Sequence, residues 1–306
     1  MQIYLPIAEI SANVFTLLGL GAAVGFLSGL FGVGGGFLMT PLLIFIGVPP
    51  AVAVSTQANQ LIAASASGVM AHWRRRAVDV RMGMVMMSGG LVGSSLGVWL
   101  FKHLSQLGQV ELVISLSYVL LLGLVGFLML AEAGRALLRQ HRHIPPKPRA
   151  GRHPYWVRVL PLKMRFYRSR IYISALVPLT LGVFVGVLVA IMGVGGGFFM
   201  VPAMIYLLGM PTAVVVGTSL FQVIFITANV TLLEALTTQT VDVLLALTML
   251  IGSVLGAQVG VRASDKLRGE QVRALLALLV LAVAAKLFYD LVATPADLFS
   301  IARAPQ

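Results

Sequence analysis

Long apolar segments alternate with short polar ones along almost the whole chain. Segments of roughly 20 apolar residues are long enough to cross the hydrocarbon core of a bilayer as helices. The pattern predicts four long spans and one short segment in each half, at 11–31, 37–47, 52–72, 82–101 and 110–131, and then at 173–192, 198–208, 213–233, 243–262 and 272–292. It is therefore typical of an all-α polytopic membrane protein.

Composition agrees with this class. Of the 306 residues, 58% are hydrophobic and only 10% are charged, whereas about 25% of a soluble domain is charged. The chain has no cysteine, which excludes disulfides, iron–sulfur clusters and thiolate metal sites. No metal site and no cofactor are predicted. The N-terminus lacks a basic stretch and a small-residue cleavage pattern, so no cleaved signal peptide is expected.

One glycine-rich phrase occurs twice. Residues Gly32–Pro41 spell GVGGGFLMTP and residues Gly193–Pro202 spell GVGGGFFMVP. The match continues beyond the phrases, pairing Pro49 with Pro211, Thr56 with Thr218, Gln60 with Gln222, and Asp79 with Asp242. Self-similarity of this extent predicts an internal duplication, with repeats at 11–131 and 173–292 joined by a linker at 132–172.

The basic residues predict the orientation of the chain. Half of the 22 Lys and Arg residues lie within 132–172, and Arg74, Arg75, Arg76 and Arg81 surround another loop. Cytoplasmic loops of membrane proteins are enriched in such residues, so both segments are predicted to be cytoplasmic rather than to bind nucleic acid. The loop at 234–242 has no basic residue and is predicted outside, as are both termini. Equivalent loops then face opposite sides, which is typical of an inverted-topology repeat.

The glycine phrases are the first candidate site. Broken backbone inside a membrane is tolerated only where protein buries it or where it lines a cavity. The freed N–H groups and the N-terminus of the following half-helix favour an anion. Close helix packing is the alternative explanation, since small residues also serve that purpose. The predicted substrate-binding residues are Gly34, Gly35, Gly36, Gly195, Gly196 and Gly197.

Two stripes of polar residues complete this site. They lie at helical spacing on the spans after the phrases, as Thr56, Asn59 and Gln60 in the first half and Thr218, Ser219 and Gln222 in the second. Residues spaced by three and four share one helix face. The alternative is interhelical hydrogen bonding, which such residues often provide in membranes. Their position next to both phrases favours a substrate pathway.

Three other patterns are assigned structural roles. Glycines four residues apart, at Gly89, Gly93 and Gly97 and again at Gly252, Gly256 and Gly260, predict close helix packing. The segment 93–97 also fits G-x-S-x-G, but it lies inside an apolar helix and not at a strand-to-helix turn, so catalysis is not predicted. His72, Glu234 and Lys286 lie near span ends and are expected to extend toward water.

The duplicated G-x-G-G-G-F-x-x-x-P phrase resembles the sulfite exporter TauE/SafE family. The resemblance includes the Gly47-Val48-Pro49 and Gly209-Met210-Pro211 turns and the polar helix starts at Thr56 and Thr218. It implies a multi-pass carrier in a bacterial inner membrane. Its substrates would be sulfur-containing anions such as sulfite, a sulfonate or a related organosulfur compound.

Together these observations predict a secondary transporter that moves a small anion by alternating access between the two glycine breaks. A passive anion channel is the first alternative, and a membrane-embedded enzyme is a weaker one. The coupling ion, H⁺ or Na⁺, and assembly into a homo-oligomer are left open. No ATP-binding motif is present, so a primary pump would need a separate ATPase.

Overall fold

The computed structural model describes residues 2–31, 36–141, 161–169, 171–264 and 269–293. Its first half contains β1 (Gln2–Leu5), β2 (Ile10–Asn13), α1 (Val14–Phe31), α2 (Gly36–Phe45), α3 (Pro50–Arg74), α4 (Val80–Gln106) and α5 (Val110–His141). The second half contains β3 (Lys163–Phe166), β4 (Ile171–Ser174), α6 (Leu176–Met192), α7 (Gly197–Tyr206), α8 (Thr212–Thr237), α9 (Val243–Ser264) and α10 (Gly269–Val292). Each predicted span corresponds to one helix, and the all-α membrane class is confirmed.

Two antiparallel hairpins were not predicted. β1 pairs with β2 and β3 pairs with β4, so the spans predicted from residues 11 and 173 begin too early. Strands of four residues directly before a long apolar helix do not separate from it in a hydropathy pattern. Each hairpin buries one apolar side chain completely, Leu5 in the first and Phe166 in the second. The hairpins are therefore packed parts of each half.

Among the described residues, five helices are long and apolar enough to span a membrane, namely α4, α5, α8, α9 and α10. α5 shows why this surface suits lipid. Leu116, Leu120, Leu124 and Phe127 repeat at helical spacing and are each more than 40% exposed. A continuous exposed apolar stripe of this kind is unusual for a soluble monomer and matches a surface that faces lipid tails.

The glycine series bring helices of different halves into close contact. Gly89, Gly93 and Gly97 on α4 lie against the backbone of α6, and Gly252 and Gly256 on α9 lie against the backbone of α1. At Gly97 an added Cβ would lie 2.7 Å from the Cβ of Ala190, which is well inside van der Waals contact. The packing role predicted for these glycines is confirmed.

Gly93→Ala is expected to destabilise the protein. An added methyl group would meet the backbone of Val183, which cannot move aside as a side chain would. Overpacking of this kind typically costs about 1–3 kcal/mol. Thermal unfolding in one detergent should show a lower Tm. Gly123→Ala is the matched control, because nothing lies within 4 Å of an added Cβ there; equal Tm losses in the two variants would contradict the expectation.

Two equivalent junctions tie the halves together. The N–H of Asp79 donates to Oγ1 of Thr218 at 2.9 Å, and the N–H of Asp242 donates to Oγ1 of Thr56 at 3.0 Å. We call these contacts the Asp79 junction and the Asp242 junction. Asp79 follows α3 while Thr218 lies near the start of α8, and the Asp242 junction reverses this arrangement. α3 and α8 therefore pack antiparallel.

Each junction also holds the hairpin of the opposite half. The carboxylate of Asp79 accepts hydrogen bonds from the N–H and the hydroxyl of Ser169, at 2.9 and 2.6 Å. The carboxylate of Asp242 accepts the N–H of Ile7 at 3.2 Å. The β3–β4 hairpin thus lies at one end of the α3–α8 pair and the β1–β2 hairpin at the other.

Basic and aromatic side chains gather at the Asp79 end. Nη1 of Arg168 donates to the carbonyl oxygen of Arg76 at 2.9 Å. The guanidinium carbons of Arg81 and Arg165 lie 5.0 and 5.7 Å from the centre of the Tyr167 ring. The loop after α3 and the end of the 132–172 segment, both rich in arginine, therefore share one face of the protein.

Candidate functional site

The two glycine breaks meet at one place inside the helix bundle. α6 ends at Met192, the next residue Gly193 has a φ of +64° that favours glycine, and Gly196 has a φ of +59° before α7 begins. The ring of Phe37, near the start of α2, stacks on that of Phe198 with centroids 4.3 Å apart. A Cβ added to Gly36 would lie 2.8 Å from the backbone N of Gly195. Gly34 and Gly35 lie outside the described residues.

The starts of α2 and α7 therefore converge. Gly197 is the first residue of α7, and Gly36 is the first described residue of α2. Each helix has ten residues and contains a proline, Pro41 or Pro202. Helix N-termini carry partial positive charge and unpaired N–H groups. The described part of the first break thus lies against the second break, and the predicted binding of a substrate there stays a prediction.

Gln57 holds the first break in place. Its side-chain N–H donates to the carbonyl of Gly36, and its side-chain oxygen accepts a hydrogen bond from the hydroxyl of Thr40. Sequence analysis missed Gln57 because the polar stripe was counted from Thr56. Counting from Gln57 gives Gln57, Gln60, Leu61 and Ala64 on one helical face, and this is the face that lines the cavity described below.

Gln60 and Gln222 occupy equivalent positions on α3 and α8, and both are buried. The side-chain oxygen of Gln60 and both polar atoms of the Gln222 amide have no hydrogen-bond partner in the structure. Buried polar atoms are nearly always paired, so an unpaired one requires an explanation. The unpaired nitrogen of Gln222 is a donor that suits an anion, whereas the unpaired oxygens of both glutamines are acceptors.

A small cavity lies beside the first break. Its volume of about 20 Å³ is enough for one water molecule. Its polar lining consists of the side chains of Ser28, Gln57, Gln60 and Ser253, with Gly25 and Gly36 also on its wall. No charged side chain is among the described residues that line it.

The equivalent region of the second half is filled. A Cβ added to Gly196 would meet the side chains of Val185, Val189 and Val223, all within 3.4 Å. Ile226 occupies the position that matches Ala64 and packs onto Gly90. Among the described residues, the small cavity thus lies on the side of the first break, while valine and isoleucine side chains fill the matching positions of the second half.

The hydroxyl residues of the predicted stripes have other partners. Thr56 and Thr218 accept hydrogen bonds in the two junctions. The hydroxyl of Ser219 donates to the carbonyl of Val216 on its own helix at 2.9 Å. Asn59 is partly exposed. The structure thus places Gln60, Gln222, Gly36 and the second glycine phrase near the convergence, and places both threonines at the ends of the α3–α8 pair.

Tyr118 supports the second break from the other half of the chain. This fully buried side chain on α5 donates its hydroxyl hydrogen to the carbonyl oxygen of Met192 at 2.5 Å. Met192 is the last residue of α6, where a helix leaves its carbonyls unpaired. A single tyrosine within an apolar span gave no sequence signal for this role.

Tyr118→Phe is expected to destabilise the second break. It leaves the Met192 carbonyl buried without its donor, at a cost of about 1–3 kcal/mol. Thermal unfolding should show a lower Tm, and transport should fall with it. Tyr289→Phe is the matched control, because Tyr289 is 70% exposed. An unchanged Tm in Tyr118→Phe would show that the hydrogen bond contributes nothing.

Comparison with known proteins identifies the chain. A family model described as "Sulfite exporter TauE/SafE" matches residues 17–287. The chain belongs to the sulfite exporter TauE/SafE family. "Probable membrane transporter protein YjnA" of Bacillus subtilis (strain 168) is 28% identical over 271 residues, which cover 88% of this chain and 97% of that protein. A "Probable membrane transporter protein" of Xylella fastidiosa (strain 9a5c) is 31% identical, over 81% of this chain and 84% of its own.

A plant protein extends the range of relatives. "Sulfite exporter TauE/SafE family protein 3" of Arabidopsis thaliana is 27% identical over 95 residues, or 31% of this chain and 20% of that protein. No solved structure matches the chain. The resemblance inferred from the glycine phrases is confirmed, and this TauE/SafE protein is a multi-pass membrane transporter.

Proposed function

We propose that this TauE/SafE protein is a secondary transporter that carries a small sulfur-containing anion across a bacterial inner membrane by alternating access. The observation that supports this most strongly is the convergence of the two breaks beside the cavity that Gln60 lines. Gln60 and Gln222 are buried, and both have side-chain atoms without a partner. The substrate class comes from the family, whose name refers to sulfite export.

The chemistry around the breaks suits an anion that must bind and then leave. The unpaired amide nitrogen of Gln222 offers N–H donors, and the starts of α2 and α7 add partial positive charge. The cavity lining among the described residues contains no arginine or lysine. Neutral donors hold an anion less tightly than a full positive charge does, and transport requires binding weak enough to allow release.

The two junctions support an inverted-topology repeat. Equivalent residues make equivalent contacts at opposite ends of the antiparallel pair α3 and α8. In such repeats the access route opens alternately on either side of a central site. The Asp79 and Asp242 junctions would close the access route on the two sides of the membrane. While both junctions are formed, the cavity beside the first break has room for one water molecule.

A ligand-stability screen tests the proposed substrate class. Purified protein is heated with sulfite, sulfate, thiosulfate, taurine, sulfoacetate or a simple carboxylate. A ligand that binds only the folded protein at 100 times its Kd stabilises it by about 2.7 kcal/mol. A rise in Tm with one or more sulfur-containing anions, absent with carboxylates, is the expected result. A response to none of them would remove the proposed substrate class.

The orientation can be tested separately. We expect both termini outside and both arginine-rich segments, the loop after α3 and the 132–172 linker, in the cytoplasm, because the positive-inside rule favours this arrangement. The contact of Arg168 with Arg76 supports one shared side. Reporter fusions after residues 78, 150, 238 and 268 should report cytoplasmic, cytoplasmic, external and cytoplasmic positions. A cytoplasmic signal at 238 would contradict the inverted repeat.

A further inference from the structure

Glu234 is the ionisable side chain in the described helices that is buried with no hydrogen bond to its carboxyl group. It lies one turn from the end of α8, its side chain is completely buried, and neither carboxyl oxygen has a hydrogen-bond partner. Sequence analysis expected it to extend toward water, and that expectation is wrong. An isolated carboxylate in such a place would be strongly destabilised by desolvation, whereas a neutral carboxylic acid would be tolerated.

A short chain of hydroxyl groups leads from this side chain toward the surface. The hydroxyl of Ser55, on α3, lies beside the Glu234 carboxyl group without forming a hydrogen bond to either carboxyl oxygen. Ser55 Oγ is 2.7 Å from Thr240 Oγ1, which is 2.9 Å from Thr238 Oγ1. Ser55 is fully buried, while Thr238 and Thr240 are partly exposed. Ser55 Oγ also donates to the carbonyl of Ala51, and Thr238 Oγ1 donates to the backbone carbonyl of Glu234. Because hydroxyl groups both donate and accept, rotation of these hydroxyls would let the chain pass a proton between the carboxyl group and water.

Among the described residues, the elements around Glu234 offer it no positive partner. The first turns of α3 contain no ionisable residue. At the start of α9, Asp242 is buried, but its carboxylate oxygens accept the N–H groups of Ile7 and Leu245. α4 runs parallel to α8 and ends with Lys102 and His103, both exposed, and Glu9 in the β1–β2 turn is exposed too. Protonation is the remaining way to neutralise Glu234 where it lies.

The other junction differs at the equivalent positions. His72 occupies the place of Glu234, is half-exposed, and lies next to Gly217, which occupies the place of Ser55. Of the two junctions, as far as the structure describes them, the Asp242 junction has a buried carboxyl group without a hydrogen-bond partner, whereas the carboxylate of Asp79 is hydrogen-bonded to Ser169. Any effect of protonation on this acid should be confined to one face of the membrane.

We propose that Glu234 is a proton-binding site that holds the Asp242 junction closed. The carboxyl group carries a proton while α3 and α8 are packed together, and it exchanges that proton with water on the β1–β2 face through Ser55, Thr240 and Thr238. When the junction opens, water reaches the side chain and the proton leaves to that water. By linkage, acid on this face favours the closed junction and alkali favours the open one. The opening and closing of the Asp242 junction during transport rests on the proposed function, whereas the protonation of Glu234 in the closed structure does not.

Infrared spectroscopy tests the site without any substrate. A protonated carboxyl group has a C=O absorption that a carboxylate lacks, and the chain has only ten Asp and Glu side chains in total. The wild-type protein in detergent at neutral pH should show one such band. Glu234→Gln should remove it, Glu234→Asp should keep it at a shifted frequency, and Glu111→Gln, which changes an exposed carboxylate, should leave it unchanged.

Deuterium exchange tests the route. Transfer to D₂O should shift the band, and Ser55→Ala should slow that shift several-fold relative to Ser88→Ala, whose hydroxyl is on the exposed side of α4. If Glu234→Gln does not fold, the wild-type band and its shift in Glu234→Asp still decide the assignment. No protonated-acid band at neutral pH, or a band that survives in Glu234→Gln, would overturn the proposal. Because no ligand is added, failure of the transport proposal would leave this result unchanged.

Discussion

Gly195→Leu is expected to abolish transport while the protein still reaches the membrane. An added Cβ at Gly195 would already lie 2.7 and 2.8 Å from the two methyl carbons of Leu61. Leu61 also lines the central cavity, so the new side chain, or the one it displaces, would fill the space beside the breaks. The larger residue would also restrict backbone that glycine leaves free.

The measurement is uptake or efflux of the ligand found by the stability screen, normalised to the amount of protein in the membrane. Gly19→Leu is the matched control, since Gly19 lies in α1, is exposed, and has nothing within 4 Å of an added Cβ. It should transport at the wild-type rate. Normal transport by well-expressed Gly195→Leu would remove the second glycine phrase from the site.

Gln60→Leu and Gln222→Leu are each expected to weaken substrate binding about ten- to hundredfold. Each removes a buried amide whose N–H group could donate to the anion. The amide nitrogen of Gln222 has no partner in the structure, so the larger loss is expected for Gln222→Leu. Hydrogen bonds to a charged group contribute about 1.5–3 kcal/mol, and each 1.4 kcal/mol is about a tenfold change in Kd. Leucine has nearly the same volume, so the packing of α3 against α8 should be kept.

Ser94→Ala is the control for both variants. Its hydroxyl accepts a hydrogen bond from the side chain of Asn229 at 2.8 Å and donates to the carbonyl of Leu91, so its loss should leave substrate affinity nearly unchanged. Titration of ligand into the purified variants separates lost affinity from a lost conformational cycle. Normal affinity in both glutamine variants would mean that backbone N–H groups alone form the site, and an inactive Ser94→Ala would favour an enzyme.

The helices could be predicted because their signal is long and redundant. In lipid only helices and closed barrels satisfy the backbone, and an apolar segment as long as α5 exceeds a barrel strand of about 9–11 residues. The hairpins carry no comparable signal. Residues Ile10–Asn13 pair with Gln2–Leu5 instead of continuing the following helix, and this pairing places Leu5 in the core. A local hydropathy pattern gives no information about a contact with the core.

The candidate site was predictable where it depends on backbone and was missed where it depends on contacts between halves. A glycine-rich phrase followed by proline predicts a break in a helix from local sequence alone. In the structure the described parts of both breaks lie together. The roles of Gln57 and Tyr118 arise from groups they meet at Gly36 and Met192, far away in the sequence. Thr56 was predicted to bind substrate because it shares a helix face with Gln60. The fold shows that its hydroxyl oxygen accepts a hydrogen bond from the N–H of Asp242.

The Asp79 junction also constrains the order in which the chain is assembled during synthesis. Asp79 is buried, and its partners Ser169 and Thr218 lie 90 and 139 residues further along the chain. When the ribosome has made only the first half, these partners do not exist, and water must solvate the Asp79 carboxylate instead. The end of α3 therefore stays hydrated until α8 has entered the membrane. A nascent first half is an unfinished intermediate that a quality-control protease could recognise.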